Sequence, residues 1–295
     1  MSDWLADFIA AESLPPEFAD TAPAICAPLA EAIAARAAVQ PGLVVGICGP
    51  QASGKSTLTA VTRRLLEDRG LKVALFSLDD LYLTHTERQA LARDVHPLLA
   101  TRGVPGTHEV SLGLAVIGAL KRPGETALPA FDKASDDRRP PADWPRFEGP
   151  ADVILFEGWC VGARPQEAVA LVKPINGLER SRDPDGTWRG FANAALAGSY
   201  QDLFGRIDLL VLLRAPGFEV VLQWRREQER KLRARLAREG GDAARTMSDD
   251  QVADFIAHYD RLTRWILQEM PARADIVLAM DADRRIGAMQ FSLAP

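Results

Sequence analysis

The chain has 295 residues, 47% of them hydrophobic, which suffices for one large α/β domain or two small ones. Its formal net charge of −5 argues against a protein built chiefly to hold nucleic acid or an anionic membrane. Cys26, Cys48 and Cys160 lie far apart with no C-x-x-C pairing, which excludes a disulfide framework and a structural zinc and suits a reducing cytosol. At the N-terminus Asp3, Asp7 and Glu12 stand among the apolar residues, so no signal peptide is read there. No apolar stretch approaches the roughly 18 residues a membrane span requires, and a soluble, cytoplasmic protein is expected. Residues 1–40 are alanine-rich with helical spacing, interrupted at Pro15-Pro16, Pro23 and Pro28. They predict an N-terminal extension of short helices packed on a core.

Five β-type runs then alternate with helical stretches: Leu43–Cys48, Lys72–Ser77, Val153–Phe156, Asp208–Leu213 and Asp275–Met280. Short strands that are apolar throughout predict a parallel sheet covered on both faces. The first run leads into Gly49, Pro50, Gln51, Ala52, Ser53, Gly54, Lys55, Ser56 and Thr57, a G-x-x-x-x-G-K-[ST] loop between strand and helix. Gly49 and Gly54 let the backbone curl so that successive N–H groups point at phosphate oxygens. Lys55 then reaches the β/γ-phosphates, and the Ser56 hydroxyl can complete a Mg²⁺ shell. The following helix, about Lys55 to Asp68, aims its positive dipole end at the same anion. Nucleoside triphosphate binding follows.

The second run ends in Ser77-Leu-Asp79-Asp80-Leu-Tyr82. A carboxylate there faces the γ-phosphate and could take a hydroxyl proton, while one of the pair could simply cap the next turn; Asp79 is the better candidate for chemistry. Residues 78–152, rich in Pro, Gly, Asp and Arg, show only weak helices near 85–94 and 111–121. So long an insertion is expected to form the acceptor side of the site. It holds Arg102-Gly-Val-Pro-Gly-Thr-His108 and Phe131-Asp-Lys133 with Arg138 nearby, cations suited to a carboxylate or phosphate, or else an ordinary charged loop. The third run ends in Phe156-Glu157-Gly158-Trp159, where Glu157 stands at the metal side of such folds. A second insertion, about Ala163 to Phe204, carries a turn at Asp183-Pro-Asp-Gly186. The segment from Trp224 to Arg238 has seven Lys/Arg against two Glu and is followed by Gly240-Gly241. It reads as a lid whose arginines close on phosphate, or as a solvated helix with pairs such as Glu227–Lys231. His85, His96 and His258 show no metal-ligand spacing.

The order of these pieces resembles the D-glycerate 3-kinase group, which stands with uridine kinase, phosphoribulokinase and bacterial pantothenate kinase among P-loop kinases. The matching stretches are Ser77–Tyr82, Arg102–His108, Pro129–Lys133, Phe156–Pro165 and Trp224–Glu229, and the resemblance covers about residues 43 to 281. Leu81 departs from a common aromatic and Glu109 from a frequent Asp. The resemblance implies a three-layer α/β/α P-loop fold with a five-stranded parallel sheet and a mobile lid. Residues 41–295 would be the kinase domain, 78–152 its acceptor-side insertion and 224–241 its lid. It further implies ATP and Mg²⁺ as cofactors, Asp79 as base on the acceptor hydroxyl, and Ser56 with Glu157 at the metal. Arg225, Arg226 and Lys231 fall in the lid, with Arg225 taken as the phosphate-facing candidate. Tyr82, Arg102, His108, Lys133, Arg138 and Trp159 would face an acceptor bearing a hydroxyl and a carboxylate, D-glycerate first. A nucleoside, pantothenate-like or sugar acceptor is the alternative. A nucleotide-driven switch is disfavoured because no N-K-x-D guanine-reading motif occurs. The adenine is expected near Met280–Arg284.

Overall fold

The computed structural model describes residues 2–239 and 246–292. Its centre is a sheet of β1 (Leu43–Cys48), β2 (Val73–Ser77), β3 (Val153–Gly158), β4 (Leu209–Arg214), β5 (Ile276–Met280) and β6 (Ile286–Phe291). The order across the sheet is β6-β5-β4-β1-β3-β2, with β1 to β5 parallel and β6 antiparallel on β5. All residues of β1 and β3 are buried, as expected for central strands covered by helices on both faces. Phe76 and Phe156 stack at 4.8 Å on adjoining strands. The register sets Glu157 beside Ile47 of β1 and Ser77 of β2, so three strand ends open on one crevice.

Three sequence expectations change. The five expected parallel strands are present but a sixth, antiparallel strand is added, because Ile286–Phe291 returns as a hairpin after a turn in which Asp281 accepts the amides of Asp283 and Arg285 at 2.8 and 2.9 Å. Its largely exposed Ile-Gly-Ala-Met-Gln-Phe has no clean alternation to announce it. Pro15-Pro16 does separate two helices, but Pro23 and Pro28 interrupt nothing: helix continues from Phe18 to Val39 through a π turn at Ala22–Cys26. There the Ala27 N–H reaches back to the Ala22 carbonyl, one residue further than in an α-helix. These 22 residues also reach the length and apolar composition of a membrane span, contrary to the sequence reading. In the structure Ile25, Leu29 and Ile33 of this helix are buried in the same core as the sheet.

The second insertion forms short helices, including Gly177–Arg182 and Thr187–Ala197, fixed by two buried ion pairs. Arg189 meets Asp183 at 2.8 Å and Arg261 meets Glu179 at 2.7 Å. Both guanidiniums also bind carbonyls of residues 170–173. This satisfaction of every charge is what buried pairs require. Trp188 from this insertion packs with Leu98, Leu99 and Val104, and so braces the loop that precedes His108.

Ile33→Ala should lower unfolding stability by about 2–5 kcal/mol in a denaturant titration, the usual result of emptying a buried aliphatic site. A loss below about 1 kcal/mol would show that the N-terminal helix is not integral to the core.

Candidate active site

The phosphate loop follows β1 directly, and its backbone curls through positive φ at Ala52 (58°) and Gly54 (83°). Gly54 caps the helix Lys55–Glu67 with no side-chain hydrogen bond, leaving its first-turn amides for an anion. A Cβ at Gly54 would meet nothing within 4 Å, so it is the left-handed backbone, not crowding, that demands glycine. The Ser53 hydroxyl and the Gln51 side-chain oxygen are buried there without a partner.

Glu157, at the end of β3, faces this loop. It accepts the Ser56 hydroxyl at 2.9 Å and lies 3.3 Å from the Lys55 ammonium. The contact with Lys55 is made through Oε2, which is buried and has no second polar partner. Burial opposes the charge on Lys55, but Glu157 and Asp79 more than offset it and raise its pKa. One hydroxyl and one carboxylate with spare oxygen capacity form the hard donor set that Mg²⁺ takes beside phosphates and water.

The turn Leu78–Leu81 separates the roles of the two aspartates. Asp80 turns back to accept the Ser77 amide at 3.0 Å and reaches across to the Phe131 amide at 3.3 Å. It is the cap, and it also ties the second sheet edge to the Phe131–Arg138 hairpin. Asp79 instead faces the crevice, with Tyr82 donating to Oδ1 at 2.8 Å and Lys133 to Oδ2 at 2.7 Å. Burial works against an ionised Asp79, yet Lys133 and Lys55 hold its carboxyl well below the usual range. Burial raises Asp80, by contrast, to about 6.

The expected acceptor groups are brought together, but besides Lys133 on Asp79 both arginines are already paired. Arg102 pairs with Asp136, which also binds Arg88 at 2.9 Å. Arg138 binds Glu109 at 2.5 Å and the Tyr82 carbonyl at 2.8 Å. The ring of His108 stacks on Tyr82 at 4.7 Å, its Nδ1 lies 2.6 Å from the Tyr200 hydroxyl, and burial pushes its pKa down to about 3. Trp159 donates to the Gly103 carbonyl at 2.9 Å and meets Tyr259 edge-on at 4.8 Å. Tyr259 in turn donates to the Arg102 carbonyl at 3.0 Å. Arg88, Asp136, Tyr200 and Tyr259 went unremarked in the sequence. One signal was available for two of them: the chain has three tyrosines, and all stand in this cluster.

In the lid region a helix runs from Phe218 to Glu239, starting earlier than expected; Gly240-Gly241 lies outside the described residues. Lys231 forms the i,i+4 pair with Glu227 at 2.7 Å. Arg225 pairs with buried Glu229 at 2.9 Å, which also accepts the Met247 amide at 2.8 Å. At the loop 281–284, Trp224 donates to the Ala282 carbonyl at 2.6 Å and Arg284 lies over the Trp224 ring at 5.8 Å.

No protein-family model matches the chain. Over 226 residues it is 35% identical to the uncharacterized kinase mug58 of Schizosaccharomyces pombe, covering 73% of this chain and 78% of that protein. Over 261 residues it is 33% identical to the chloroplastic D-glycerate 3-kinase of Arabidopsis thaliana, covering 82% of this chain and 53% of the plant protein, about half its length. The D-glycerate 3-kinase structure from Cryptococcus neoformans superposes with a TM-score of 0.72 at 27% identity, covering 90% of this chain and 97% of that one. The YGR205w protein follows with a TM-score of 0.67 at 26% identity, over 87% and 91% of the two chains. A phosphate loop on a mostly parallel sheet, together with these relatives, defines a P-loop small-molecule kinase, a phosphotransferase acting on a hydroxyl. The chain belongs to one kinase family with mug58 and is similar in sequence and structure to D-glycerate 3-kinases.

Because the folded chain raises Asp80 from 3.8 to about 6, it binds a proton more readily than the unfolded chain between those values. Stability contributed at Asp80 therefore falls as pH rises through that window. Asp80→Asn removes this titration, so its stability relative to wild type should improve by up to about 3 kcal/mol between about pH 4 and pH 7. A difference that does not change with pH in denaturant titrations would contradict a weakly acidic, buried Asp80.

Proposed function

We propose that this kinase transfers the γ-phosphoryl group of ATP to a hydroxyl of D-glycerate, forming 3-phosphoglycerate. The observation that carries the reading is the electrostatic pairing of Asp79 with Lys55 and Lys133, beside the insertion that brings Arg102 and Arg138, in a chain whose named relatives include D-glycerate 3-kinases. The amides of Gly49 to Thr57 and the Lys55 ammonium hold the β- and γ-phosphates. Ser56 and Glu157 would hold Mg²⁺, which supplies charge neutralisation on the phosphates when bound.

The acceptor hydroxyl oxygen attacks the γ-phosphorus as the bond to the β,γ-bridging oxygen breaks and ADP leaves. Asp79 takes the hydroxyl proton, and Tyr82 holds its carboxylate in place. Arg225 is the lid cation assigned to the developing phosphoryl charge, released from Glu229 as the helix closes. Arg102, His108, Lys133 and Arg138 line the side assigned to the acceptor carboxylate, where Trp159 fixes the loop at Gly103. The adenine is assigned to the 281–284 loop beside Trp224. Cys26, Cys48 and Cys160 are free and buried, which suits a reducing compartment such as the cytoplasm.

Incubation of the enzyme with ATP, Mg²⁺ and D-glycerate should yield ADP and 3-phosphoglycerate in equal amounts; ADP at background level would sink the substrate assignment. Asp79→Asn should lower kcat by about 10²–10⁴-fold while ATP affinity stays near wild type. Retained turnover would remove Asp79 from the base role.

A further inference from the structure

Both oxygens of Asp79 are occupied, but by donors of very different character. Tyr82 is buried between His108 and Phe131, with ring separations of 4.7 and 5.1 Å, and cannot leave without unpacking the turn. The side chain of Lys133 is 63% exposed, and its one ion-pair partner among the described residues is Asp79.

The neighbouring cations are committed elsewhere. Arg102 and fully buried Arg88 share Asp136, and Arg88 also binds the carbonyls of Leu83, Ala100 and Asp136. Arg138 is held by Glu109 and the Tyr82 carbonyl. An acceptor carboxylate that took either arginine would have to displace an existing carboxylate from a multiply bonded site. Lys133 offers its charge with only a simple exchange of partners. The hairpin pairs Phe131 with Arg138 and Asp132 with Asp137, and Asp80 holds its base through the Phe131 amide. Lys133 follows directly, at the start of the loop, on a flexible four-carbon stem.

We infer that Lys133 is a carboxylate-operated gate on the base: its ammonium masks Asp79 until a hydroxy-acid acceptor draws it away. This rests on Asp79 being the base of the proposed reaction and narrows the acceptor class to compounds carrying a carboxylate near the hydroxyl. A carboxylate clamped between Lys133 and Lys55 is a weak proton acceptor, for a useful general base must have a pKa nearer the working pH. Moving Lys133 onto the incoming carboxylate returns basicity to Asp79 as the hydroxyl arrives. One ammonium–carboxylate pair replaces another, so the exchange is close to balanced. An uncharged polyol offers no replacement partner and leaves the gate shut. Water fares the same, and ATP is spared hydrolysis while no acceptor is bound.

The test compares wild type, Lys133→Met and Lys133→Arg with ATP and Mg²⁺, using no acceptor, D-glycerate or glycerol. In Lys133→Met, acceptor-free ADP release should rise at least about fivefold as Asp79 is unmasked toward water. Its D-glycerate to glycerol ratio of kcat/KM should fall at least about tenfold, and Lys133→Arg should restore much of that ratio. The acid limb of its kcat/KM profile for glycerol should move to higher pH, because Asp79 has lost its nearest cation. Acceptor-free ADP release at the wild-type level in Lys133→Met would overturn the gate, and that arm holds whichever acceptor the enzyme uses. Wild-type turnover of D-glycerate separately decides the substrate reading.

Discussion

Glu157 stands where three strand ends and the phosphate loop converge, and its carboxylate is shared between the Ser56 hydroxyl and the Lys55 ammonium. A buried carboxylate at this point must be compensated, and the loop supplies both the charge and the hydrogen bond. Behind it, the Ser77 hydroxyl donates to the Glu157 carbonyl at 3.4 Å, so the same residue also anchors the end of β2. The phosphate loop and the end of β2 are therefore joined through one residue. Lys55 sits between Glu157 and Asp79 and answers to both.

Charge is the organising constraint outward from there. Three acids, Asp79, Asp80 and Glu157, crowd the strand ends. Repulsion is limited because Asp80 is weakly acidic and spends its oxygens on backbone amides, whereas Asp79 and Glu157 have lysines. In the insertion the arginines serve structure first. Arg88 and Arg102 gather on Asp136, and Arg138 ties Glu109 to the Tyr82 carbonyl. The arginines are thus fixed by carboxylates and carbonyls of the insertion, Lys55 is held by Glu157, and Lys133 alone of these cations is largely exposed.

Much of this architecture is legible in the amino-acid order because its determinants are local. The phosphate loop, the apolar runs and the acids at the ends of β2 and β3 are each fixed by spacing within a few residues. Helix His85–Asp94 was readable too, since Thr84 and Glu87 form its capping box within one turn. The cations of the insertion were readable as positions but not as partners: Arg102 finds Asp136, and Arg138 finds Glu109, only because a hairpin folds them together. Arg88 carried no mark at all, since an arginine in a charged helix ordinarily faces water. Pro23 and Pro28 misled for a related reason. Their local effect is to break a helix, and a π turn packed against the core overrides it.

Glu157 joins the phosphate loop to the strand ends and is proposed to hold the metal as well, which calorimetric titration of ATP with and without Mg²⁺ tests most directly. Wild type should gain about tenfold or more in ATP affinity from Mg²⁺, equivalent to at least about 1.4 kcal/mol. Glu157→Gln should bind metal-free ATP at least as well as wild type but lose that gain. A Glu157→Gln enzyme that keeps the full magnesium increment would contradict the account.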